Sequence, residues 1–114
     1  MRAYLIDPFI RKVSEIETDA SLEDLYRHMH CDMIQAAYPI DSRGDMFFLD
    51  EEGKFKKDQR YFVCLTYPGD ILAGRAIWIG QGSAGLNASA RMSIDVVRAW
   101  IGWVDADDAK GPIL

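Results

Sequence analysis

A chain of 114 residues is the length of a single domain. With 49% hydrophobic and 11% aromatic residues it can build a core without disulfide or metal staples. Its formal charge of −5, from 18 acidic and 13 basic residues with the acidic ones dispersed, leaves no Lys/Arg stripe to neutralise phosphates, which counts against nucleic acid as a partner.

Ala3–Ile6 is a short apolar run closed by Asp7-Pro8 and reads as a first strand. Arg11 to Thr18 alternates polar and apolar around Val13 and Ile16, so a half-buried second strand completes a hairpin. Ser21-Leu22-Glu23-Asp24 is a helix start: a Ser cap with acidic residues at the positive end of the dipole. Leu22, Leu25, Tyr26 and Met29 follow at helical spacing and mark one core face. Met33–Tyr38 reads as a strand ended by Pro39, Asp41–Gly44 as a turn and Met46–Leu49 as a strand. Asp50-Glu51-Glu52-Gly53 is a predicted tight turn with Gly53 at positive φ, and Phe55 starts a short return strand. Lys54, Lys56 and Lys57 beside Asp50, Glu51 and Glu52 then make a solvated charged hairpin tip.

Tyr61–Tyr67 and Ile71–Ile79 are the two strongest apolar runs, with Pro68-Gly69-Asp70 as the predicted turn between them. In the second run Leu72, Ala76 and Trp78 alternate with Ile71, Ala73, Ile77 and Ile79. Such a strand is apolar on both faces and belongs inside a sheet covered on both sides. Gly80–Gly85 reads as a loop leading into a weak helical turn. Ser93 then caps a final helix, Ile94–Val104, striped by Ile94, Val97, Ile101 and Val104 and widened by Val96, Trp100 and Trp103. Asp105–Leu114 is an acidic tail, expected to fray. The fold class is α+β: one domain over 1–104, a mixed or antiparallel sheet of five to six strands packed with two helices.

No leader opens the chain and no run of about 18 apolar residues occurs, so a cytoplasmic protein of the host or producing cell, with no membrane partner, is expected. Cys31 and Cys64 both sit in apolar stretches and read as free thiols of a reducing compartment.

Candidate chemistry is sparse. Gly80-Gln81-Gly82-Ser83-Ala84-Gly85 has G-x-G-x-x-G spacing after a strand, but too little chain follows to complete a dinucleotide-binding unit. His28, His30 and Cys31 form an H-x-H-C cluster. Two helical histidines two apart point about 200° away from each other, and no further ligand pair completes a zinc set. Cys64 is flanked by apolar residues and Cys31 by Asp32, both unfavourable to a reactive thiolate. Asp41, Asp45, Asp50, Glu51 and Glu52 lack the alternation of a calcium loop. No catalytic residue, metal or cofactor is therefore assigned.

Two stretches carry a resemblance: Met46-Phe47-Phe48-Leu49-Asp50-Glu51-Glu52-Gly53-Lys54 and Ile71-Leu72-Ala73-Gly74-Arg75-Ala76-Ile77-Trp78-Ile79-Gly80. With the helix around Ser21–Tyr26 and the strand at Met33–Gln35, they resemble a family of small uncharacterised domains of phages, plasmids and bacteria. The resemblance covers residues 1–80 and transfers no functional residue. It implies the setting of a mobile-element accessory protein, which acts by blocking a host factor or sequestering a small signal.

The reading is therefore a non-enzymatic binding protein that contacts an unknown protein partner or itself. Its expected interface is the tip at Asp50, Glu51, Glu52 and Lys54 and the helix bearing Val96, Trp100 and Trp103. The alternative is a small anionic ligand or nucleotide signal held by Gly80, Gly82, Ser83 and Gly85, with Arg75 or Arg91 as the anion contact.

Overall fold

The computed structural model describes residues 1–109. β1 (Arg2–Asp7) and β2 (Lys12–Glu17) form the expected hairpin, pairing Ala3 with Ile16 and Ile6 with Val13. Helix α1 (Leu22–Met29) starts where the cap was predicted: the Ser21 hydroxyl accepts from the Asp24 amide at 3.2 Å. It stops at His30, which turns left-handed at φ 54°. β3 (Ile34–Ala37), β4 (Asp45–Asp50), β5 (Tyr61–Cys64), β6 (Tyr67–Ala73), β7 (Ala76–Gln81) and β8 (Asn87–Ala88) follow. The described chain closes with α2 (Ile94–Trp100), β9 (Ile101–Val104) and α3 (Ala106–Ala109).

The fold class is α+β, and the strands form two antiparallel sheets. The larger runs β2-β1-β7-β4-β3, with β8 added to the end of β7; the smaller runs β6-β5-β9. β7 is central and covered on both faces, as its composition demands. Ile77 and Ile79 pack under α1 with Leu25, Met29, Ala3 and Met46. Ala76 and Trp78 point the other way, into a core shared with the smaller sheet and α2 through Phe47, Phe62, Leu72 and Val97. Trp78 is fully buried and stacks on Phe47 at 5.8 Å between centroids.

Several expectations are corrected. The run Ile71–Ile79 is two strands in different sheets, broken at Gly74-Arg75 where Gly74 takes φ +82° against the side chain of Gln59. The turn before it is Leu65-Thr66, and Pro68-Gly69-Asp70 lies inside edge strand β6, where a missing N–H does no harm. The Asp50–Lys57 stretch is not a hairpin tip. It crosses between the sheets through a 3-10 turn at Gly53–Phe55, so Phe55 starts no strand and is 88% exposed. Gly53 does not need positive φ; a Cβ there would lie 2.7 Å from the Ala73 carbonyl oxygen.

The final helix stops at Trp100. Ile101, Gly102, Trp103 and Val104 extend as a strand because β5 offers a free edge, and Gly102 leaves room for the Val63 methyl 3.0 Å from where a Cβ would sit. Leu22, expected in the core face of α1, is exposed. Of the expected tail, Ala106–Ala109 is helical, and residues 110–114 lie outside the described ones.

Candidate functional site

The strongest polar feature is the fully buried carboxylate of Asp45, at the start of β4. It accepts from Trp78 Nε1 at 2.7 Å, from the Arg91 amide at 2.9 and 3.0 Å, and from the Met92 amide at 2.9 Å. The Arg91 guanidinium lies 3.8 Å from the same carboxylate and donates to the carbonyls of Gly44, at 3.3 Å, and Gln81. Asp45 thus ties the segment after β8 to the centre of the sheet. Every polar atom of its carboxylate is committed, and the node serves architecture.

This settles where the glycine-loop residues stand. A Cβ at Gly80 would lie 2.3 Å from the Ser89 carbonyl oxygen, and one at Gly82 would lie 2.9 Å from that of Leu86. Both glycines admit neighbouring backbone. Ser83 and Gly85 form an exposed 3-10 turn, with Gly85 at φ +76°. Arg91 reaches this loop and donates there to the carbonyls of Gly44 and Gln81. Arg75 lies at the opposite end of β7, about 16 Å away for five strand residues. There it pairs with Asp7 at 3.2 Å and covers the Phe9 ring at 4.3 Å. The two arginines do not converge.

The acidic stretch is paired only in part. Asp50 accepts from Lys56 at 2.6 Å and from the Glu52 amide, and Lys54 binds Asp70 at 2.7 Å. Glu51 and Glu52 have exposed side chains. On the C-terminal elements Val96, Trp100 and Trp103 are all half-buried. Trp100 lies 6.0 Å from Trp78 between centroids, and Trp103, on β9 opposite Phe62, packs on the same core. The two tryptophans no longer share a helix face.

Trp100 instead forms one wall of an apolar groove of about 390 Å³, lined by Val63, Leu65, Pro68, Ala99, Trp100 and Ile101 with the Cys64 and Gly102 positions beneath. Its rim is Leu65, 70% exposed at the tip of the β5–β6 turn. That turn is held from three sides. The Leu65 amide donates to the Trp100 carbonyl at 2.9 Å, the Thr66 carbonyl accepts from the Ile40 amide at 2.7 Å, and the buried Thr66 hydroxyl touches Cys64 Sγ at 3.4 Å. Ile40, 59% exposed, adjoins the rim. Val63, Leu65, Pro68 and Ile101 were missed from sequence because the turn was placed three residues too late. With the turn at Leu65-Thr66, a leucine in a turn is the signal that could have found them.

Both thiols are free. Burial pushes the Cys31 thiol up, and the Asp50 carboxylate adds to this, so it is held protonated. Among the described residues no three His, Cys, Asp or Glu side chains converge for a metal, and no helix is long and apolar enough to cross a membrane.

An antiparallel six-stranded sheet between a helix and a second sheet, with an apolar groove between β5, β6 and the α2–β9 junction, defines an α+β domain. The chain belongs to the family described as Domain of unknown function (DUF3846), whose model matches residues 1–99. That match extends beyond the residues 1–80 that carried the resemblance, through the glycine loop and most of α2. No curated protein and no solved structure matches the chain.

Proposed function

We propose that this chain is a non-enzymatic binding protein, an accessory factor of a phage or mobile element, working in the cytoplasm of the host or producing cell. It acts by protein–protein contact, and the groove walled by Trp100 and rimmed by Leu65 is its contact surface. The observation that carries this reading is an exposed leucine on a hydrogen-bonded turn, at the edge of an apolar groove walled by a half-buried tryptophan. Exposing a large apolar side chain to water gives the fold nothing, whereas an apolar rim on a held backbone beside a half-buried tryptophan is the make-up of an interface hot spot. The paired carboxylates and the protonated Cys31 supply no nucleophile–base pair that would favour catalysis. A small anion at the Gly80–Gly85 loop draws less support, because Arg91 is committed to carbonyls and Arg75 is distant.

A photo-reactive amino acid at Leu65 tests this in producing cells, with the more exposed Phe55 as control. One discrete adduct from position 65 and none from position 55 is expected. Equal, diffuse labelling at both positions would remove the groove from consideration.

A further inference from the structure

The larger sheet ends in two edge strands that are treated very differently. On β2 the edge is guarded. Met1 and Thr18 exchange two backbone bonds, at 2.7 and 3.0 Å, so by antiparallel alternation Val13, Glu15 and Glu17 turn their amides and carbonyls outward. Arg98 then caps the outward Val13 carbonyl with Nε at 3.2 Å and Nη2 at 3.0 Å, and Lys12, Glu15 and Glu17 add charge. On β3 the Glu51 amide donates to the Met33 carbonyl at 3.0 Å, so Met33, Gln35 and Ala37 bond inward to β4. Ile34 and Ala36 face outward, and none of the described residues bonds to their amides or carbonyls.

Edges are ordinarily guarded by charge, proline or a bulge. β6 carries Pro68, Gly69 at φ +86° and Asp70, and β9 runs into Asp105, Asp107 and Asp108. Met33–Ile40, by contrast, contains no charged residue in a chain that is 27% charged, and its one proline, Pro39, lies beyond the end of β3. Met33 (45%), Tyr38 (58%) and Ile40 (59%) stand exposed along it.

We infer that β3 is a strand-pairing site for a second copy of this chain, joined antiparallel about a two-fold axis at Gln35. Outward residues must meet outward residues, and within the length of β3 this register alone pairs both Ile34 and Ala36. Ile34 of one copy meets Ala36 of the other, and both copies use all their outward strand groups in four backbone hydrogen bonds. Gln35 faces its own counterpart, and a primary amide, both donor and acceptor, is complementary to itself. Asp32 falls opposite Tyr38, an acceptor against a phenolic donor. Two molecules of charge −5 repel, and this is a stretch where they meet without opposing like charges. The contact is isologous and closes at two copies.

Sedimentation of the full-length protein over a range of concentrations tests this beside Ala36→Pro. Proline there removes only an outward N–H, so the monomer keeps its fold and its unfolding midpoint. A reversible dimer is expected, with association weakened at least about tenfold by Ala36→Pro. In a Cys31→Ser background, Gln35→Cys should cross-link into a dimer on mild oxidation while Ile34→Cys should not, because only position 35 lies on the axis. A wild-type chain that stays monomeric at every soluble concentration overturns the proposal. So does a dimer indifferent to Ala36→Pro, or a monomer whose β3 edge takes up only a foreign extended peptide.

Discussion

Asp45→Ala is expected to lower the unfolding free energy by about 4 kcal/mol, the largest single-residue effect outside the apolar core. Three N–H groups, from Trp78, Arg91 and Met92, lose their acceptor together, and the Trp78 donor lies where water cannot replace it. Asp45→Asn, which keeps one carbonyl oxygen in place, should lose roughly half as much. Urea unfolding followed by tryptophan fluorescence measures both. A loss under about 1 kcal/mol for Asp45→Ala would mean that the segment after β8 is not anchored through this carboxylate.

Gly80→Ala is expected to cost about 3 kcal/mol, because its methyl would collide with two carbonyl oxygens of the backbone, Ser89 at 2.3 Å and Ala88 at 2.9 Å. Relief requires β8 to leave β7. That would pull the Ser89 hydroxyl from the Arg2 amide and the Ala90 amide from the Arg2 carbonyl. The Arg91 and Met92 amides, next in the chain, would then shift from Asp45, so this effect and that of Asp45→Ala should be less than additive. Gly85→Ala is the control. Its Cβ meets nothing within 4 Å, and only the backbone preference at φ +76° opposes it, by about 1 kcal/mol. Equal losses at the two positions, again read by urea unfolding, would show that Gly80 is not a packing glycine.

Much of the architecture was legible because local chemistry and burial agreed. The Ser21 cap, the β1–β2 hairpin and the two-sided apolar character of Ala76–Ile79 each have one physical solution, and the chain takes it. The errors arose where a local signal competed with pairing partners that sequence does not reveal. Pro68-Gly69 is a strong turn pair, yet an edge strand tolerates both residues, and the turn moved to Leu65-Thr66. Ile101–Val104 continues a helical stripe, yet β5 had an empty edge and the β-branched Ile101 and Val104 suit a strand beside it.

The candidate site suffered from the same shift. Trp100 was read as an interface residue and does wall the groove, but its partners Val63, Leu65 and Pro68 become neighbours only after the turn is correctly placed. Asp45 sat within a list of exposed-looking acids. Its importance comes from Trp78 and from amides forty-six and forty-seven residues away, contacts that no spacing rule could supply.

The most direct test of the proposed binding surface is Leu65→Asp, compared with wild type for unfolding midpoint and for recovery of the partner cross-linked at the groove. An exposed leucine whose backbone bonds survive the change should leave the midpoint within a few degrees, while partner recovery falls at least about tenfold. Unchanged recovery would contradict the account, because the groove would then be apolar without being used. A lost fold would contradict it differently, by showing that Leu65 supports the domain instead of facing a partner.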